Sequence, residues 1–164
     1  MAILKILTIP NPILKQNCVQ VNSINDSVIK LITDMQDTMN GSVHCVGIAA
    51  PQVGVSLRII AVNVTLNPKP HRNNGLLIMI NPIITYSSGK LKSREGCLSV
   101  PDFTGNVARK DKITVEYIDI NGKQKVLKTN GFESIVIQHE IDHLNGVVFL
   151  DKVSSLKTDI FKRV

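Results

Sequence analysis

From Val28 onward, apolar side chains recur at Val28, Leu31, Ile32, Met35 and Met39, the spacing of one helical face. Capping side chains from Asn25 to Ser27 and a stop at Asn40-Gly41 predict a first helix whose methionines pack in a core. The period then shortens. Runs rich in β-branched residues, Leu57 to Val64 and Leu76 to Ile84, predict strands separated by a polar, proline-containing loop from Asn67 to Gly75. Ile113, Val115 and Tyr117 alternate with Thr114 and Glu116, and Asn121-Gly122 offers a turn into Lys125 to Thr129. The phase slips at Ile118 and Ile120, which predicts a bulge near Ile118. After Asn130-Gly131 the helical period returns. It gathers Ile135, Val136, His139, Glu140, His143 and Leu144 toward one side, and Asn145-Gly146 closes it.

Strands followed by a helix with a polar inner face predict an α+β domain, its short, mostly antiparallel sheets wrapped around that helix. With 164 residues, 43% of them apolar and 20% charged, the chain suits one compact domain spanning 1–164 and lacks material for a second. It contains no internal repeat, low-complexity tract or linker. Lys5 and Pro10 interrupt the apolar N-terminus before a secretory core or membrane span forms, so a cytoplasmic location is expected, an organelle matrix being the other compartment of that kind. Cys18, Cys45 and Cys97 are an odd number, which fits a reducing compartment better than a disulfide framework. A net charge of +6 favours acidic partners such as ribosomal RNA, yet no arginine cluster or aromatic ladder marks a surface for DNA or RNA.

The chemistry lies in Gln138-His139-Glu140-Ile141-Asp142-His143. On a helix His139 and His143 project from one face about one turn apart, close enough to share a cation, with Glu140 beside them. Left without partners, such buried groups would cost roughly 2 kcal/mol or more each. The third ligand discriminates among readings. A metalloprotease of the long pattern needs a histidine where Phe149 stands, and one with a downstream glutamate finds none after Glu140. An upstream ligand remains. Cys97, in the turn Glu95-Gly96-Cys97-Leu98-Ser99, is the best candidate, because a thiolate binds strongly and Gly96 permits a tight backbone approach. Cys18 and Cys45 read by default as small buried hydrophobes.

Cys45-Val46-Gly47-Ile48-Ala49-Ala50-Pro51-Gln52, Glu95-Gly96-Cys97-Leu98-Ser99 and Gln138-His139-Glu140-Ile141-Asp142-His143-Leu144-Asn145-Gly146 together resemble, in order and spacing, the three motifs of peptide deformylase. The resemblance implies a hydrolase that removes the formyl group from the N-terminal formylmethionine of new polypeptides and releases formate. It implies Cys97, His139 and His143 as metal ligands, Glu140 as the acid/base, and Gln52 with the Leu98 backbone amide as oxyanion donors. It also implies Fe²⁺ as the native ion, although the donor set accepts Zn²⁺, Ni²⁺ or Co²⁺.

One thiolate and two neutral imidazoles leave a divalent ion with a single positive charge and an open position, a muted Lewis acid that depends on Glu140 for proton transfer. Gly47, Ala49 and Ala50 are expected to let an extended substrate backbone approach as an added strand. Two residues depart from the family motif beside the expected substrate groove. Cys45 stands for its first glycine, where a side chain narrows the cleft or excludes φ > 0, and Ile48 stands for its leucine. Glu95 is assigned an ion pair that holds the cysteine turn. Many bacterial members dock on the ribosome through a long basic C-terminal helix, for which Leu156 to Val164 is too short. The competing readings are an endopeptidase, weakened by the missing downstream ligand, and a noncatalytic peptide-binding relative, suggested by Cys45 and opposed by Glu140.

Overall fold

The computed structural model describes residues 2–163. Eight strands and two α-helices alternate with short 3₁₀ turns. Helix α1 (Asp26–Asn40) starts where Asn25 accepts the Val28 amide through its side chain at 3.0 Å, and it buries Val28, Ile32, Met35 and Met39 on the expected face. Strands β1 (Gly47–Ala49), β2 (Ile59–Asn63), β3 (Leu76–Ser88), β6 (Lys112–Ile118) and β7 (Gln124–Asn130) form one antiparallel sheet in the order β1-β2-β3-β6-β7. A second sheet holds β4 (Leu91–Cys97), β5 (Val100–Arg109) and β8 (Ile160–Lys162), again antiparallel.

Strand β2 reads as an unbroken apolar run because both its faces are covered. Ile59 and Ala61 pack with α1, whereas Ile60 and Val62 belong to the core beneath α2 (Gly131–Leu144), with Met79, Val115, Ile137 and Leu144. A third cluster, Cys97, Val100, Val107, Val148 and Phe149, fills the space between the second sheet and the chain leaving α2. Helix α2 therefore lies at the centre of an α+β fold, with sheets wrapped around it. It is buried nearly all round rather than on one side, with only its first two residues and Asp142 partly open. Gly146 ends it at φ +73°, and a Cβ there would lie 2.6 Å from the Lys15 carbonyl group.

Three expectations shift. The bulge lies opposite Ile118: β6 and β7 pair without interruption from Lys112↔Asn130 to Ile118↔Gln124, and the register breaks in β3 instead, between Ile80 and Ile83 and again between Ile84 and Tyr86. The first of these breaks contains Asn81 at φ +52°. Strand β2 ends at Asn63, where a 3₁₀ turn begins as Asn63 caps the Thr65 amide, and β3 runs on to Ser88. In the segment Leu156 to Val164, Ile160–Lys162 is strand β8, and Val164 lies outside the described residues. Among the described residues no helix is long and apolar enough to cross a membrane.

Candidate metal centre

The two sheets meet over α2 and bring the three motifs together. Cys97 ends β4, and Leu98-Ser99 turn the chain into β5 with Cys97 paired to Val100. Alternation along β4 places Glu95 and Cys97 on one side, both buried and directed at α2. One helical turn separates His139 from His143, whose rings meet edge to face at 5.1 Å. One ligand atom each from Cys97, His139 and His143 lies within 4.8 Å of the others, and Cys97 Sγ is 3.2 Å from His143 Nε2.

A divalent ion fits this donor set. His139 Nδ1 lies 2.8 Å from Glu95 Oε1, which leaves its Nε2 for the ion, the usual support of a ligating imidazole. Burial disfavours charge on His139, but the Cys97 sulfur and the Glu95 carboxylate outweigh it and hold the imidazole well above its ordinary pKa. Positive charge is therefore welcome there. Burial pushes His143 well below the ordinary value, and the charge on His139 adds to the effect, so His143 is a neutral donor. Glu140 Oε2 is buried without a hydrogen-bond partner among the described residues, an orphan that a polar group at the centre would satisfy. Burial raises the Glu140 pKa to about 7, against the pull of His139.

The expected ion pair at Glu95 has a partner that sequence reasoning missed. Arg109, at the end of β5, holds Glu95 with two hydrogen bonds and reaches Asp142 on α2 at 2.7 Å. Burial opposes ionisation of Glu95, yet the Arg109 and His139 contacts keep its carboxyl below the usual range. Fourteen residues separate Arg109 from Glu95, and the run Arg109-Lys110-Asp111-Lys112 looks like an ordinary charged connection. No local pattern announces the pair.

Gln52 is buried at the head of the site. Its Oε1 accepts the Ala49 amide at 3.0 Å, which turns Nε2 toward Ser99 Oγ at 3.1 Å and Cys97 Sγ at 3.4 Å. A cleft of about 490 Å³ opens beside these groups, lined among others by Cys45, Gly47, Gln52, Leu98, Phe132 and Glu140.

One expectation about the cleft is corrected, and Gly47 has a further duty. Ile48 has no exposed surface and packs in the α1 core, so its side chain cannot meet substrate, and Ala49 and Ala50 are equally enclosed. Gly47 makes room for the protein's own carboxylate: a Cβ would lie 2.8 Å from Glu140 Oε1 and 2.9 Å from Val136 Cγ1. Cys45 does line the cleft, with its thiol 3.2 Å from the Gly47 carbonyl. Its backbone is not in the left-handed region, which His44 occupies instead at φ +60°. Burial, reinforced by the Glu140 charge, pushes the Cys45 thiol up to about 12.

The sequence profile described as "Polypeptide deformylase" matches residues 3–159. A peptide deformylase of Thermodesulfovibrio yellowstonii is 42% identical over 163 residues, 99% of this chain and 96% of the relative. Among solved structures, the peptide deformylase of Ehrlichia chaffeensis in complex with actinonin superposes with a TM-score of 0.87 at 38% identity, covering 96% of this chain and 92% of that one. A peptide deformylase from Legionella pneumophila gives 0.86 at 40% identity, with 95% and 89% covered. With a Cys/His/His donor set drawn from the turn at Cys97 and from α2, and likeness along almost all its length, the chain belongs to the polypeptide deformylase family.

Proposed function

We propose that residues 1–164 act as one catalytic domain in which Cys97, His139 and His143 hold a divalent ion, Fe²⁺ natively, and Glu140 moves the proton. The activity is that of the family, hydrolysis of the N-formyl group from formylmethionyl nascent peptides. The observation that carries the assignment of roles is the orphaned Glu140 oxygen beside a buried Cys/His/His cluster. When bound, the ion polarises the formyl carbonyl and makes adjacent water more acidic. Glu140 takes a proton from the attacking water as its oxygen bonds to the formyl carbon. The same carboxyl group returns that proton to nitrogen as the C–N bond breaks, releasing formate and a free amine.

Charge develops on the formyl oxygen, and the Gln52 Nε2 hydrogens and the Leu98 backbone N–H are the proposed donors. Gln52 suits the task because the Ala49 contact fixes which end of its amide faces Cys97. Strand β1 lies at the edge of its sheet, paired among the described residues with β2 alone, so its other edge is available to an extended peptide. Cys45 and Gly47 would border that peptide. Ile48 contributes only its backbone. A reducing, cytoplasmic-type compartment suits a thiolate ligand.

Formate release from formyl-Met-Ala-Ser by anaerobically prepared protein tests the reading. Glu140→Ala is expected to retain its metal while losing activity on the order of a hundredfold or more. Turnover at the wild-type rate in that variant would remove Glu140 from the proton path.

A further inference from the structure

The rim of the cleft formed by the β4-β5-β8 sheet carries two arginines which the chemistry above leaves unused. Arg94 and Arg163 both line the cleft. The Arg94 guanidinium lies 3.8 Å from the centre of the Phe161 ring, and its Nε donates to Thr104 Oγ1 at 3.0 Å. Phe161 is paired in register with Thr104, so strand β8 supplies the platform that fixes Arg94. Two residues further on, the Arg163 amide donates to the Asp102 carbonyl at 2.8 Å and extends that pairing. Its guanidinium lies against Gly96, where any Cβ would collide with it.

Among the described residues neither arginine takes part in an ion pair. Of the carboxylates that line the cleft, Glu95 is gripped by Arg109 and His139, and Glu140 is buried at the centre. The cleft mouth therefore presents two cations, one stacked on an aromatic ring and one seated over a glycine, with no ion-pair partner among the described residues. Guanidinium forks match carboxylates in geometry, and a stacked fork loses little freedom on binding.

We propose that Arg94 and Arg163 form a subsite for a carboxylate carried by the peptide downstream of formylmethionine. The acid is an Asp or Glu side chain or, in a short peptide, the free C-terminus. The inference rests on the deformylase reading, in which the cleft receives the peptide. A formylated N-terminus brings no positive charge, so these cations meet no repulsion from it and act on the residues that follow.

Calorimetric titration of zinc-loaded Glu140→Ala protein separates binding from turnover. The probes are formyl-Met-Ala-Asp-amide, formyl-Met-Ala-Ser-amide, formyl-Met-Ala-Lys-amide and formyl-Met-Ala-Ser with a free C-terminus. The Asp amide is expected to bind about five- to tenfold more tightly than the Lys amide, with a gap that narrows as salt is raised. A gain for the free-acid Ser peptide over its amide shows that the C-terminus is taken as well; without that gain the subsite reads side chains alone. Adding Arg94→Gln or Arg163→Gln should collapse the order. The exposed Arg163 serves as the test if the Arg94 variant does not fold. Equal affinities for the Asp and Lys amides, or an order that both variants preserve, would overturn the subsite. Absence of formate from every peptide with intact enzyme would overturn the deformylase reading instead, and the affinity order would still judge the arginines.

Discussion

Arg109 grips both carboxylate oxygens of Glu95, Nε to Oε2 at 2.6 Å and Nη2 to Oε1 at 2.8 Å. The same Glu95 oxygen that meets Nη2 also meets His139 Nδ1, so the guanidinium fixes the orientation of a proposed metal ligand through one intervening side chain. Arg109→Ala leaves the buried Glu95 with His139 as its one remaining partner and takes the closer of two cations from the partly open Asp142. Breaking a buried pair in this way costs about 3–5 kcal/mol, and losing such support for a ligand weakens metal binding by about 10–100-fold. Urea unfolding and zinc titration against a competing chelator measure the two effects. Lost stability with unchanged metal affinity would limit Arg109 to holding the sheets on α2.

Gly47→Ala places a methyl group where Glu140 Oε1 and Val136 Cγ1 now lie. The carboxylate must shift, whereas Cys97 lies on β4 and the His139 and His143 rings, although on the same helix as Glu140, are not among the atoms nearest the added methyl group. Misplacement of a reacting group by a fraction of an ångström to an ångström costs on the order of 10- to 100-fold in turnover. The variant is expected to bind metal normally and lose kcat by about that factor. Unchanged kcat would show that Glu140 tolerates displacement.

The parts legible in the sequence are those with a local cause. Helix α1 carries its own cap at Asn25 and a clear apolar face, and the β6–β7 hairpin has both alternation and a turn at Asn121-Gly122. His139, Glu140 and His143 share one helix, so their spacing alone sets their geometry. Strands β4 and β5 escape notice because polar side chains such as Arg94, Thr104 and Asn106 face outward and interrupt any apolar run. That Gly47 also makes room for Glu140 is not legible, since nothing in the motif places a carboxylate from more than ninety residues later in the chain beside it.

Cys97 lines the cleft, and as a proposed ligand of ferrous iron its thiolate would be open to oxidants that enter there. Iron-loaded protein should lose activity faster in air than under nitrogen, and nickel- or zinc-loaded protein should show a smaller difference. Half-lives in air and under nitrogen, followed by formate release, supply the comparison. Equal values for the iron form would count against Fe²⁺ at this centre.

Lys15 Nζ lies 2.6 Å from Asp151 Oδ2, tying the turn at Pro12–Lys15 to the segment that follows α2. Asp151 Oδ2 also accepts the Val148 amide at 3.0 Å. Partial burial raises the Asp151 pKa, but Lys15 and that amide outweigh it and hold the carboxyl below its ordinary value of 3.8. A depressed acid stabilises the fold above its unfolded pKa and loses that contribution as pH falls through the folded value. Because the two side chains are 48% and 42% exposed, solvent screening limits the effect to about 0.5 kcal/mol. Asp151→Asn should therefore be slightly less stable than wild type at neutral pH, with a gap that closes as the acid protonates below its ordinary value and shrinks with added salt. Urea unfolding across that range reads the difference. A gap that stays constant to the lowest pH would assign the effect to the Val148 cap rather than to the charge on Asp151.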